Sequence, residues 1–291
     1  MKLFEQITVV GVGLLGGSLA MACKQQGLAG RVVGFGRNRD NLEKARRLNI
    51  IDEYFTDLSS AVKDADLIVL CSPIGSFKSL AEKMVSAFKP GAILTDVGSV
   101  KAPIVREIEG VVPRSVYFVG GHPIAGGEKS GVDAADKDLF RGAKCIVTPT
   151  SNTDKTALKR VVTLWERLGM KVDAMDAEEH DYIFGAVSHL PHIIAYSLMN
   201  TIAGLKTANH ERIAYLGGNG LKDVTRIAAS DPVMWRDICM ANKESVLLCI
   251  SLFQETLGKI KGQIDQGDGD SLERMFSMAN EHRLAMCEKN E

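Results

Sequence analysis

The chain has 291 residues, a formal net charge of −1 and 45% apolar residues. That length can fold as two domains with a core each, and the near-neutral charge offers no electrostatic footprint for nucleic acid or an anionic membrane. No apolar run approaches the roughly 20 residues that span a bilayer, and Met1–Gln6 lacks a signal-peptide pattern, so a soluble, cytoplasmic protein is expected. Six scattered cysteines without a CxxC pair predict free thiols in a reducing compartment and no zinc site.

In chain order, the β-branched run Ile7-Thr8-Val9-Val10 predicts a strand that enters Gly11-Val12-Gly13-Leu14-Leu15-Gly16, and Ser18–Cys23 continues as a helix. Arg31–Phe35 follows as a strand, Asn41–Leu48 as a helix, Leu67–Cys71 as a buried strand, Ser76–Phe88 as a helix and Ala92–Asp96 as a strand. Tyr117–Val119 and Cys145–Val147 add short strands, and Thr153–Leu168 with Lys171–Ala174 completes the series. This alternation predicts a parallel, doubly wound sheet over residues 1–175. From about Asp176 strand patterns give way to 3.6-residue periodicity through Ile193–Leu205, Met234–Leu257 and Leu272–Met286, which predicts an all-α second domain over 176–291. Gly267–Asp270 reads as a loop, with Asp270 or Ser271 capping the last helix.

The glycine turn has the setting that gives Gly-x-Gly-x-x-Gly its meaning, a strand before it and a helix after it. Gly11 permits the tight turn, Gly13 lets the backbone approach a pyrophosphate, and Gly16 allows close helix–strand packing. Leu14 and Leu15 belong to the same cofactor-binding turn, and the N-terminus of the helix that follows offers free N–H groups and a partial positive charge to the phosphates. An acid about 20 residues further on would bind a ribose 2′-hydroxyl and select NAD. Here Gly36-Arg37-Asn38-Arg39 occupies that stretch, with the first acid at Asp40; Arg37 can pair with a 2′-phosphate, so NAD(P)+ use leaning toward NADP+ is expected. Two further loops lie at C-terminal strand ends, where open α/β sheets bind ligands. Ser72 and Pro73 would run beside the cofactor, and Ser99 would bring a hydroxyl to the nicotinamide. Lys101 fits equally a surface helix start and a place in the site.

Several stretches together resemble the prephenate/arogenate dehydrogenase family. They are Asp96-Val97-Gly98-Ser99-Val100-Lys101, Gly121-His122-Pro123-Ile124-Ala125-Gly126, Glu128-Lys129-Ser130-Gly131, Ser188-His189-Leu190-Pro191-His192, and Arg226-Ile227-Ala228 with Ser230-Asp231-Pro232 and Met234-Trp235. The resemblance implies a Rossmann-type domain followed by a helical dimerisation domain, a homodimer, and oxidative decarboxylation of a cyclohexadienol in tyrosine biosynthesis. It also implies a small-molecule substrate, prephenate or arogenate, which differ only in a keto against an amino group. Two departures stand out: Gly127 replaces an expected Thr or Ser, and the cofactor loop lacks the acid of NAD-specific relatives. The chain shows no appended ACT or chorismate mutase segment and looks like a bare catalytic core.

Within that resemblance His122 is the expected catalytic base, since an imidazole is largely neutral at pH 7 and Pro123 restricts it to extended backbone. Ser99 would orient it, and His192 would contact substrate with a catalytic part. Arg226 is the candidate clamp for a substrate carboxylate, because its fork gives bidentate, charge-assisted bonds. His189 would support the site near the nicotinamide, Glu128 would guard the pocket mouth or touch the substrate side chain, and Trp235 suits substrate contact and dimer core equally. His189 and His192 lack a third ligand, so no metal is expected. The rival readings are a β-hydroxyacid dehydrogenase or imine reductase of the same architecture, which would favour a catalytic lysine or aspartate on the interdomain helix, and a non-enzymatic NADP-sensing protein. The apolar positions Val246, Leu247, Ile250, Phe253 and Leu257 predict the dimer face.

Overall fold

A computed structural model describes residues 1–127, 131–205 and 216–288. The chain forms two compact units, Met1–Lys243 and Glu244–Glu291. In the first, strands β1 (Phe4–Val10), β2 (Ala29–Phe35), β3 (Glu53–Phe55), β4 (Leu67–Leu70), β5 (Ile93–Asp96), β6 (Tyr117–Ile124), β7 (Lys144–Thr148) and β8 (Lys171–Ala174) make one sheet in the order β3-β2-β1-β4-β5-β6-β7-β8. The chain reverses direction across the sheet between β1 and β4. That switch point opens a crevice at the carboxyl ends of the strands.

The central strands are apolar on both faces because helices cover both. Period-2 alternation divides their side chains between two cores. Ile7 and Val9 of β1, with Leu67 and Val69 of β4, join one cluster with Leu19 and Trp165. Val10, Ile68 and Leu70 join the other with Phe77 and Phe118. At the first turn Gly11 has φ 107°, and a Cβ there would stand 2.8 Å from the Cys71 carbonyl carbon. A Cβ on Gly16 would sit 2.1 Å from the Gly11 oxygen, so the first helix, α1 (Leu14–Gln25), meets β1 at a distance that only glycine permits.

The structure corrects the sequence reading at several points. The sheet is not wholly parallel: β6 runs antiparallel to β7. The first half of β6 pairs with β5 and its second half, Gly120–Ile124, with β7. His122 and Pro123 therefore lie inside a strand that extends beyond the short segment Tyr117–Val119. Strand β3 and helix α3 (Leu58–Val62) are too short to leave a periodic signature, and helix α5 (Ala102–Glu109) entered the sequence reading only as a possible helix start at Lys101. The remaining helices of this layer are α2 (Arg39–Arg47), α4 (Phe77–Met84) and α6 (Lys155–Arg167).

After β8 the chain is helical. Asp176 caps α7 (Ala177–Phe184), accepting from the Glu178 and Glu179 amides. A single π turn, Gly185–His189, then leads without interruption into α8 (Leu190–Gly204). Insertions of this kind re-aim side chains and recur at functional sites. The periodic stretch Met234–Leu257 is two helices, Pro232–Ala241 and Lys243–Gln266, interrupted at Asn242, a poor helix former whose side chain is engaged elsewhere. The second unit holds most of Lys243–Gln266 and the helix Gly269–Glu288. Asp268 caps the latter by accepting from the Ser271 amide, a few residues before the expected Asp270 or Ser271. On this unit Leu247 and Leu257 are about half exposed, and Val246 is buried. Among the described residues no helix is long and apolar enough to cross a membrane.

Candidate active site

The glycine turn follows β1 at the switch point. Helix α1 has no acidic residue in its first turn and no side-chain cap at Gly13, so its leading N–H groups stay available to an anion. A Cβ built on Gly13 meets nothing within 4 Å. Its freedom from a side chain therefore leaves clearance rather than packing, as a pyrophosphate approaching the backbone requires. Leu14 and Leu15 sit half-buried at the helix start. Asn41 ties the neighbouring layer to this turn, its amide donating to the Val12 carbonyl at 2.9 Å. Arg39 lies 3.6 Å from Glu43, whereas Arg37 is exposed and forms no ion pair among the described residues. Ser72 and Pro73 end β4, with the Ser72 and Ser76 hydroxyls 2.9 Å apart and the Pro73 carbonyl accepting from Ser76. These residues can cradle a dinucleotide.

Beyond β5 the loop is held by a buried ion pair between Asp96 and Lys101. Lys101 is fully buried, so the structure chooses the site over the surface. Its Nζ also donates to the Gly121 carbonyl at 2.8 Å. Asp96 accepts from the Gly98 and Gly121 amides. The pair thus fastens the Ser99 loop to the strand that carries His122.

A chain of hydrogen bonds then fixes the His122 ring. Asp181 on α7 accepts from the Lys101 amide at 2.7 Å and the Ala102 amide at 2.8 Å, the first peptide groups of α5. His180 Nδ1 lies 2.8 Å from Asp181 Oδ1. A carboxylate only accepts, so His180 Nδ1 carries the proton and its Nε2 a lone pair. His122 Nδ1 stands 2.8 Å from that Nε2, must donate to it, and leaves its own Nε2 as an acceptor. Phe184 stacks on His180 with ring centroids 4.4 Å apart and flanks His122 at 4.8 Å. Burial, with lesser contributions from His180, Lys101 and His189, holds the His122 pKa well below 6.5. Burial also lowers His180 despite the Asp181 hydrogen bond. Both rings are therefore neutral at physiological pH.

A second group of rings comes from the π turn and α8. His192 Nδ1 donates to the Ser188 carbonyl at 2.9 Å, and its ring stacks on Trp235 at 3.6 Å. Arg226 is exposed on the turn Arg226–Ala229, and its charge helps burial to lower the His192 pKa. His189 is fully buried, its pKa pushed down to about 4 chiefly by burial. Its Nδ1 lies 3.1 Å from Asn242 Nδ2, and its Nε2 has no hydrogen-bond partner among the described residues. Trp235 packs with Val100 and Ile238, and its indole N–H is likewise without a partner among them.

The orienting partner of His122 is therefore His180, where the sequence pointed to Ser99. The Ser99 side chain is half-buried in the loop after β5 and makes no hydrogen bond to His122 among the described residues. Glu128 lies outside the described residues. Sequence reasoning missed His180, Asp181, Phe184 and Asn242; the only local signal was His180-Asp181 one turn past the helix cap. No three described His, Cys, Asp or Glu side chains are grouped to hold a metal ion.

The neutral buried histidines make stability depend on pH. Once unfolded, His122, His180 and His189 protonate near pH 6.5, so below that pH the unfolded chain binds more protons than the folded one. Stability is complete above about pH 7 and is lost as pH falls, each ring contributing about 1.4 kcal/mol per pH unit down to its folded pKa. Urea midpoints should therefore drop progressively from pH 7 to pH 5. A midpoint that holds or rises over that interval would contradict the neutral cluster.

Two family models match the chain: Prephenate dehydrogenase, nucleotide-binding domain, over residues 19–174, and Prephenate dehydrogenase, dimerization domain, over residues 176–278. A cyclohexadienyl dehydrogenase of Zymomonas mobilis is 34% identical over 286 residues, 98% of this chain and 97% of that protein. The crystal structure of prephenate dehydrogenase from Aquifex aeolicus, in complex with hydroxyphenyl propionate and NAD+, superposes with a TM-score of 0.91 at 39% identity, covering 98% of each chain. The Synechocystis arogenate dehydrogenase structure gives a TM-score of 0.81 at 30% identity over 96% of this chain and 98% of that one. The glycine cradle and the histidine site thus sit in one framework, and the chain belongs to the prephenate dehydrogenase family.

Proposed function

We propose that this chain carries out the NAD(P)-dependent oxidative decarboxylation of prephenate, or of arogenate, in the cytoplasm. The observation that carries this reading is His122 Nε2, a neutral acceptor aligned by His180 and Asp181 on the strand next to the Asp96–Lys101 loop.

The bound nicotinamide would supply the oxidant, taking a hydride from the ring carbon that bears the hydroxyl. His122 accepts the hydroxyl proton at Nε2 as the carbonyl forms. The carbon–carbon bond to the ring carboxylate then breaks and releases carbon dioxide. The electron pair left behind aromatises the ring, and His122 returns the proton to the same oxygen, now a phenol. A base of low pKa suits this brief custody, because it stays unprotonated before the step and gives the proton back readily afterwards. Ser99 lines the nicotinamide side, and Arg226 receives a substrate carboxylate beside His192 and Trp235.

The segment from 176 onward forms the substrate wall and the interface of a homodimer, with the exposed Leu247 and Leu257 on the joining surface. The Aquifex relative was crystallised with NAD+; here the exposed Arg37, without an ion pair among the described residues, and the absence of an acid at the end of β2 favour NADP+.

Replacing His122 with Asn should lower kcat for prephenate by about 10²–10⁴-fold while dinucleotide binding, followed by NADPH fluorescence, stays intact. Turnover within a few-fold of the parent would remove His122 from the base role. Arg37→Ala should reduce kcat/KM with NADP+ about tenfold or more, a charge-assisted contact being worth about 1.5–3 kcal/mol, and leave NAD+ nearly unaffected. An unchanged ratio between the two cofactors would refute the assignment.

A further inference from the structure

The break between the helices Pro232–Ala241 and Lys243–Gln266 places Asn242 in the interior, 5% exposed, where it joins the two histidine groups. Its Nδ2 is 2.7 Å from the Asp181 carbonyl oxygen and 3.1 Å from His189 Nδ1. A backbone carbonyl accepts and never donates, so the amide nitrogen rather than its oxygen must face Asp181. That same nitrogen carries a second hydrogen, and the ring atom it meets is His189 Nδ1. For this contact to be a hydrogen bond, Nδ1 must hold a lone pair, which leaves the ring proton on Nε2.

His189 Nε2 is buried and has no formed hydrogen bond among the described residues. The Ser99 backbone acts on the ring as a weak acceptor that favours its charged form, short of a formed hydrogen bond at Nε2. A buried N–H left unsatisfied is costly and uncommon in folded proteins. Its neighbours are the Ser99 loop and Trp235, whose ring centroid stands 6.0 Å from that of His189. An acceptor arriving from outside would satisfy it there.

We infer that Asn242 is a positioning residue that locks His189 in its Nε2–H tautomer, so that His189 presents a neutral donor to an oxygen of the bound ligand. This rests on the active-site reading given above. The acceptor is either a substrate oxygen or the carboxamide oxygen of the nicotinamide, both being neutral or anionic acceptors a single N–H can reach. Because Asn242 also holds the Asp181 carbonyl, one side chain sets the registry between the proton-accepting ring on β6 and the donor ring of the π turn.

Asn242→Asp tests the lock with almost no change in shape. The carboxylate facing Nδ1 draws the proton there. At high pH the ring becomes the Nδ1–H tautomer with a lone pair at Nε2, and it donates at Nε2 again only when doubly protonated. The charged and titratable groups acting on this ring are Asp181, His180 and His192 together with His122, and all four are unchanged in the variant. At pH 8.5 the variant should bind its ligand about tenfold more weakly than the parent, with the ratio narrowing as pH falls to 6; the lost bond to the Asp181 carbonyl adds a part of the loss that does not vary with pH.

A loss confined to KM for prephenate identifies a substrate oxygen as the acceptor; a loss in dinucleotide Kd, measured by fluorescence without substrate, identifies the carboxamide. A pH-independent ratio, or no loss in either constant, overturns the proposal. Nitrogen-15 NMR of histidine-labelled parent protein, with His189 assigned through His189→Gln, reads the tautomer directly and decides the matter if the variant does not fold. A protonated Nε2 with an unprotonated Nδ1 supports the lock, and the reverse overturns it. The NMR and dinucleotide measurements need no turnover, so a failed substrate assignment would leave them standing.

Discussion

The carboxylate of Asp181 is the constraint on which the site depends. It sits almost fully buried and takes two backbone N–H groups from the start of α5 and one ring N–H from His180. An ionised group so placed is tolerable only when its acceptor sites are filled, and the amides at a helix N-terminus are suited to it. In meeting that requirement the chain docks α7 against α5, just beyond the loop that carries Ser99. It also fixes which nitrogen of His180 holds its proton, and through it which nitrogen of His122 is left as an acceptor.

The Asp96–Lys101 pair acts from the other side. It connects the end of β5 to the Gly121 carbonyl and so sets where β6 delivers His122. Lysine this deeply buried needs its charge matched, and removing either partner would strand the other. The two buried carboxylates divide the work: one holds the loop and strand together, and the other sets the protonation pattern of the rings. The resulting cluster of neutral histidines is stable only while the pH keeps them neutral, which couples folding to the state the chemistry requires.

Much of this architecture was legible in the sequence. The glycine turn, the alternation of strands and helices, and the change of period near Asp176 reflect local rules with strong signals: a β-branched run, a tight turn, a 3.6-residue stripe. His122, His192 and Arg226 came from the motifs they sit in. Ring partners were not legible, because the His122–His180 contact joins residues 58 positions apart and depends on how α7 docks. Asn242 was hidden inside a stretch whose apolar periodicity runs straight through it; its polar side chain serves Asp181 and His189, and the helix yields there. Lys101 looked like either a surface or a site residue, and only the burial of Asp96 beside it decides. β3 and α3 were too brief for periodicity to register.

The central claim is that Asp181 dictates the tautomers of both His180 and His122, and hence the acceptor at His122 Nε2. The most direct test is the kcat of Asp181→Asn for prephenate at saturating cofactor, read beside its thermal melting curve. The neutral amide must turn its nitrogen either onto His180 Nδ1, reversing the proton order along the chain, or onto the Ala102 amide, and in both cases the negative charge that holds the order is gone; the account predicts a fall of at least about 10²-fold in kcat with KM little changed. A folded Asp181→Asn protein turning over within threefold of the parent would contradict it.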